Sequence, residues 1–340
     1  MKETTEARLD SVEVSDVAAT ERNEPPYVAD GGTLVVRRWA TSNVRRVEAD
    51  GRAVYVKQYL PQGDLGVTPE VIHRRTSREM DLVKRMRSCP PPHSHLGILN
   101  LVYGDPKSGV LVTEEAPGPP VSQLVLRRSA SHGTLRALYS AGKWLRWFQS
   151  LPIKSGDGER FMDDDPLDLV EYCDLRIQAI LQLGYGWPTD GIRRRLKANL
   201  RQLAQRFSPE DRRPVWTHGD YSPGNVLWDG STLTPLDFAM AKLSFSLVDV
   251  TYFIHRLEML GIYFPWRRWP IGTWKQAILR GYGRPDAERS AMYQAMMIRH
   301  LHCRLKTYVR RPPLNLKQRI HNAWTRKCVQ KRLLKMMSQA

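Results

Sequence analysis

His218-Gly219-Asp220-Tyr221-Ser222-Pro223-Gly224-Asn225-Val226-Leu227 is the stretch around which the chain is organised. It opens as a turn-rich loop and runs into an apolar strand. Asp220 and Asn225 stand five residues apart, and a second acid, Asp237, comes twelve residues after Asn225, behind the apolar run Leu233 to Leu236. A carboxylate in such a loop can orient a hydroxyl and take its proton. An amide oxygen and a second carboxylate are hard oxygen ligands suited to Mg²⁺. The plainer reading is a hairpin turn in which Gly, Ser, Pro, Asp and Asn serve only as turn formers.

The spacing H-x-D-x-x-x-x-N is that of the catalytic loop of protein kinases, with Gly219 in place of Arg. Asp237-Phe238-Ala239 then falls where their metal-binding D-F-G falls. Phosphoryl transfer asks the protein for positioning and for neutralisation of phosphate charge. On this pattern Asp220 is the base, Asn225 and Asp237 hold Mg²⁺ against ATP, and His218 braces the loop. HGDYSPGNVL followed by PLDFA resembles the aminoglycoside phosphotransferase and choline kinase family, small-molecule kinases on a protein-kinase-like fold. The resemblance runs from about residue 32 to 260. It implies an α+β fold of two lobes: a small antiparallel sheet with one helix, then a larger, mostly helical lobe. It also implies ATP, Mg²⁺ and a small-molecule hydroxyl acceptor.

Upstream, residues 32–60 alternate like strands, with Asp50-Gly51 as a hairpin signal. The turn Ala40-Thr41-Ser42-Asn43 stands where a kinase has its Gly-rich loop, yet it carries no glycine. Ser42 and Asn43 are candidate phosphate donors there; an ordinary hairpin turn explains them equally well. Lys57, in Val54-Tyr55-Val56-Lys57, matches the V-A-I-K lysine that meets the α- and β-phosphates. Thr68 as N-cap and Pro69 at the first position predict a helix to Arg87. The resemblance makes Glu79 on that helix the partner of Lys57. Glu70, at the helix start, is the alternative partner or a complement to the helix dipole. Strands follow at 98–103 and 110–114. Glu115 and Ala116 then correspond to the hinge between kinase lobes, where backbone groups would meet adenine.

Beyond residue 120 the pattern turns helical, over 135–151, 167–183, 191–207, 247–261, 286–309 and 315–337. The first of these ends in Phe148-Gln149 where the family has L-H. Ser246-Leu247-Val248-Asp249-Val250 resembles the family's g-D-P-x-x-D-L region, without its G-D-P. The resemblance makes Asp249 a brace accepting backbone hydrogen bonds from the catalytic loop, and the plainer reading is an acid at a helix start. Trp266, Trp269 and Trp274 lie in an expected loop, lining an acceptor pocket or packing helices. The expected division is a flexible arm over 1–26, a nucleotide-binding lobe over 27–116, a helical lobe over 117–314 and a basic C-terminal helix over 315–340.

Composition adds bounds. No apolar run reaches the length of a membrane helix, and the N-terminus MKETTEARLD is polar rather than signal-like, so a cytoplasmic location is expected. Cys89, Cys173, Cys303 and Cys328 show no C-x-x-C spacing, which fits reduced thiols. Cys89 with His93 and His95 reads as a Pro-rich surface loop in preference to a metal cluster. The net charge of +17 is concentrated: residues 251–340 hold 19 Lys/Arg against 3 Asp/Glu. Kinases for cationic aminoglycosides or choline need an acidic acceptor site. The basic C-terminal quarter therefore points to an anionic acceptor, of sugar, glycan or lipid-linked type. An aminoglycoside- or choline-type kinase is the alternative. The basic tail, with Ile320, Trp324, Leu333, Leu334 and Met337 for an apolar face, either lies on anionic lipid at the inner membrane face or packs on its own lobe. The non-enzyme rivals are a nucleic-acid-binding module, which no zinc-finger or RNP pattern supports, and a pseudokinase scaffold, which the full set of base and metal residues argues against.

Overall fold

The computed structural model describes residues 28–29, 33–39, 42–49, 52–61, 67–127, 130–157, 168–310 and 315–338. The expected N-terminal arm and the turns at residues 40–41 and 50–51 lie outside them. In chain order the strands are β1 (Val28–Ala29), β2 (Thr33–Trp39), β3 (Ser42–Ala49), β4 (Arg52–Tyr59), β5 (Leu101–Asp105), β6 (Val110–Glu114), β7 (Val215–Thr217), β8 (Val226–Trp228), β9 (Leu233–Pro235) and β10 (Lys242–Ser244). The helices are α1 (Pro69–Ser88), α2 (Val121–Leu126), α3 (His132–Gln149), α4 (Leu169–Gln182), α5 (Asp190–Gln205), α6 (Val248–Tyr263), α7 (Ile271–Tyr282), α8 (Ala291–Arg310) and α9 (Leu316–Met337). They fall into two compact units. The described residues up to Gln123 join Gly224–Ala241 in one; Leu124–Pro223 joins the described residues from Lys242 onward in the other.

The first unit is built on an antiparallel sheet in the order β1-β2-β3-β4-β6-β5. Its helix α1 starts as the sequence dictates. The Thr68 hydroxyl accepts the Val71 N–H, Pro69 leads, and Glu70 sits in the first turn with Arg85 and Arg87 in the last. Ile72, Thr76, Glu79, Val83 and Met86 are buried at three- and four-residue spacing, one stripe of the helix. That stripe meets the sheet in a core of Tyr59, Val67, Ile72, Leu111 and Ala239. Fully burying each large aliphatic side chain contributes roughly 1.5–3 kcal/mol. The segment Gly224–Ala241 belongs here because β8 and β9 form a hairpin, Val226 opposite Pro235. The hairpin turn is set by Asp229, whose Oδ1 accepts the N–H groups of Ser231 and Thr232, and by Gly230 at φ +103°.

The second unit is mostly helical, with β7 and β10 as its only strand pair among the described residues. Its tightest helix contact is α3 against α7. A Cβ on Gly142 would overlap the Ile278 carbonyl oxygen, and one on Gly281 the Tyr139 carbonyl oxygen. Helix α7 takes Trp274 out of the expected Trp-rich loop and leaves Trp266 and Trp269 in it. Trp274, Ile278 and Tyr282 recur every four residues and are buried, so they form a helix face, and Gly283 at φ +81° ends it. The C-terminal helix also departs from the single apolar face expected of it. Thr325, Val329 and Leu333 pack inward, and Arg332 pairs with Glu258 of α6. Ile320, Trp324 and Leu334 remain exposed. Among the described residues no helix is long and apolar enough to cross a membrane.

Candidate functional site

The β8–β9 hairpin explains the twelve-residue spacing. Asn225 stands just before β8 and Leu236-Asp237 just after β9, and the hairpin closes them together: the Leu236 N–H donates to the Asn225 carbonyl at 2.8 Å. Asp237 is the one described non-glycine residue at positive φ, +65°, a conformation that costs energy and recurs where a side chain must be aimed.

In the same unit, β4 and α1 bring a lysine to this acid. Lys57 pairs in β4 with Val44 and Leu111 on its two sides. Its Nζ lies 3.2 Å from Glu79 Oε2 and 2.7 Å from Asp237 Oδ1. Burial alone would push the ammonium pKa down; the Asp237 and Glu79 carboxylates outweigh it and hold it well above the ordinary lysine value. Glu79 also has two further partners. Oε2 also accepts the Tyr59 hydroxyl at 2.7 Å, and Oε1 accepts the Phe238 N–H at 3.0 Å. One carboxylate thus fixes the lysine and the backbone next to Asp237. Glu70 is exposed at the helix start and takes no part.

Two expected nucleotide contacts are placed differently. Ser42 and Asn43 are the first residues of β3, opposite Tyr59 and Gln58, and Ser42 is buried. They continue the ladder instead of forming the turn. The Glu115 N–H is already donated to the Ala53 carbonyl at 3.0 Å, because the ladder runs one residue past β6. The Glu115 side chain grips Arg46 with both oxygens and accepts the Tyr55 hydroxyl. Just beyond, Gly118 at φ +93° packs against the Trp228 carbonyl, where a side chain would not fit.

The second unit holds the loop before Asn225. Gly219 adopts φ +81°, which accounts for glycine between His218 and Asp220. Asp249, buried in the first turn of α6, accepts the His218 N–H at 2.6 Å and the Gly219 N–H at 3.0 Å. Burial pushes its carboxyl pKa up to about 6 against the pull of those two donors and Arg299. The His218 ring is buried against Tyr221. Tyr221 in turn stacks on Trp144 and donates to the Ala141 carbonyl at 2.8 Å.

Several participants were not picked out from sequence. Tyr252, one turn after Asp249, lies near enough to the Asp220 carboxylate that burial and that charge together hold its phenol above the ordinary tyrosine value. His300 of α8, buried, lies within hydrogen-bond distance of Thr251 Oγ1 and the Val248 carbonyl, and so braces the helix turn that carries Asp249. Gln149, where the family motif has His, donates to the Ser246 carbonyl and accepts the Tyr282 hydroxyl. In the sequence Tyr59 carries no signal beyond that of a strand residue. Only the i, i+3 step from Asp249 to Tyr252 was a usable signal.

A family model described as "Phosphotransferase enzyme family" matches residues 32–293. Among solved structures, the chain is similar to ADP-bound aminoglycoside phosphotransferase APH(2'')-Ib, at 12% identity and TM-score 0.58 over 98% of this chain and 99% of that one. It is similar to amicoumacin kinase hAmiN, in complex with AMP-PNP, Ca²⁺ and Ami, at 12% identity and TM-score 0.57 over 97% and 94%. It is also similar to Plasmodium vivax ethanolamine kinase, at 12% identity and TM-score 0.58 over 87% and 81%. No curated protein sequence matches it. The fold is the protein-kinase-like one of these enzymes, and the chain belongs to the phosphotransferase enzyme family.

Proposed function

We propose that the chain transfers the γ-phosphoryl group of ATP, with Mg²⁺, to a hydroxyl of an anionic small-molecule acceptor of sugar or glycan type. The carrying observation is Lys57 held between Glu79 and Asp237, with Asp237 in a strained backbone conformation at the end of the β8–β9 hairpin. Asn225 and Asp237 present an amide oxygen and a carboxylate, the hard donors that Mg²⁺ takes, so the residues present fit the ion. When bound, Mg²⁺ neutralises phosphate charge. Lys57 supplies a fixed cation for the phosphates. Asp220, on a loop pinned by Asp249, orients the acceptor hydroxyl and takes its proton.

The anionic acceptor is supported by arginines in the second unit. The guanidinium groups of Arg176 and Arg299 lie 4.5 and 4.2 Å from the centre of the Tyr172 ring. Arg256, one turn beyond Tyr252 on α6, is a third cation of this unit, close enough to Tyr252 to act on its phenol. Peripheral association with an anionic membrane, where lipid-linked acceptors reside, belongs to the same reading.

The test is ADP release from Mg·ATP across cationic, neutral and anionic acceptors, with Asp220→Asn as the blank. Turnover confined to anionic acceptors is expected. Turnover only with aminoglycosides or choline would overturn the acceptor class, and Asp220→Asn turning over like the parent would overturn the base.

A further inference from the structure

We infer that the first two turns of α9 and the loop between α6 and α7 form a docking surface for an anionic lipid bilayer. The inference deepens the peripheral-association reading above and rests on it for the kind of partner, but it names a surface different from the apolar face expected of the tail. The inward face of α9 is already used. Val329 and Leu333 are fully buried, Gln330 donates to the Tyr185 hydroxyl, and the Arg326 guanidinium lies over the Tyr185 ring.

What remains outward is a different stripe. Leu316, Ile320 and Trp324 follow at four-residue spacing and are 69%, 63% and 45% exposed, so they share one side of the helix. The stripe continues onto the neighbouring loop. The Trp324 indole N–H donates to the Ile262 carbonyl at 2.9 Å, two residues before Phe264, and Phe264 meets Trp266 edge-on at 5.7 Å. Trp266 is the most exposed large apolar side chain described, at 73%. Large apolar side chains gathered on one surface are uncommon on a chain that stays in water and mark an interaction site.

Charge chooses the occupant. Arg267 and Arg268 follow Trp266, while Lys317, Arg319 and Lys327 flank the stripe on α9. No Asp or Glu occurs anywhere in residues 289–340, which hold 13 Lys/Arg. Tryptophan and aliphatic side chains ringed by cations suit the boundary between headgroups and acyl chains of an anionic bilayer. A second copy of the chain fits poorly, since two-fold pairing would set these cations against themselves. Nucleic acid would use the cations and leave Leu316 and Ile320 in water. Helix α9 also lies outside residues 32–293, those matched by the family model.

The test is flotation of the full chain with phosphatidylcholine vesicles, with and without about 30% phosphatidylglycerol. Two variants accompany it: the triple Trp266→Ser/Leu316→Ser/Ile320→Ser and the double Arg268→Glu/Arg319→Glu. Melting temperature and Mg·ATP turnover are measured on the same samples. Binding to the anionic vesicles alone is expected, falling by about tenfold in each variant while the melting temperature holds. Loss of binding at about 1 M salt is expected for the charge component. No binding by the parent chain, or equal binding by the triple variant, would overturn the docking surface whether or not phosphoryl transfer is observed. So would a parent dimer that the triple variant dissociates without any vesicle binding. Vesicle binding with turnover confined to cationic acceptors would keep the surface and remove the anionic-acceptor reading.

Discussion

The Lys57 ammonium lies 2.7 Å from Oδ1 of Asp237, a residue 180 positions further along the chain and nearer to it than Glu79 at 3.2 Å. One cation therefore bridges the acid of α1 and the acid that ends the β8–β9 hairpin. Lys57→Met is expected to lower kcat/KM for Mg·ATP by about 100-fold or more. It also leaves the two carboxylates without their shared cation, so the melting temperature falls. An unchanged kcat/KM would mean that Lys57 serves the fold alone.

Glu79 and Tyr59 separate structure from function. Tyr59→Phe deletes one hydrogen bond to the Glu79 carboxylate and is expected to cost about 1 kcal/mol in urea unfolding. Glu79→Ala strips partners from Lys57, Tyr59 and the Phe238 N–H together. Its expected cost is about 3–5 kcal/mol, that of breaking a buried charged network. Equal costs for the two variants would refute the network.

Asp249 predicts opposite pH trends for stability and activity. Its carboxyl is raised from 3.8 to about 6, chiefly by burial. The folded chain thus holds this proton more tightly than the unfolded one. From this group alone, stability rises as pH falls from about 6 towards 3.8, and that contribution is absent above pH 6. Activity moves the other way, because the protonated acid loses an acceptor for the His218 and Gly219 N–H groups. Turnover is expected to decline below pH 6 without a matching fall in melting temperature. The declining limb should be missing from the profile of Asp249→Asn; its persistence there would assign the limb to another group.

Gly281→Ala tests the α3–α7 contact. The added methyl would overlap the Tyr139 carbonyl oxygen, a backbone atom that cannot swing aside. A loss of about 3 kcal/mol is expected from such overpacking, read by thermal or urea unfolding. Gly272→Ala, at a position of the same helix with open space around it, should be neutral or mildly stabilising. Equal melting temperatures for the two would show that the helices do not cross so closely.

Much of the site was legible because its residues are tied by short-range rules. The H-G-D-x-x-x-x-N spacing, the Asn225–Asp237 interval and the Thr68-Pro69 helix start are each set by local backbone chemistry: a positive-φ glycine, a hairpin, a capped first turn. Helix α7 was missed because Pro270 and three tryptophans dress its start as a loop, although Trp274, Ile278 and Tyr282 carry the helical period. Ser42 and Asn43 read as turn residues in the sequence because propensity cannot say where a ladder stops.

The sequence by itself determined the residue types that transfer a phosphoryl group, their order and the basic character of the C-terminal quarter. Tertiary structure alone decided which carboxylates meet Lys57, since side chains 22 and 180 residues away are joined by a sheet, a helix and a hairpin whose packing no local window contains. It also decided which side of α9 is spent on the core and which faces water. Both sides of that helix are partly apolar, and only the placement of α6 and of Tyr185 distinguishes them.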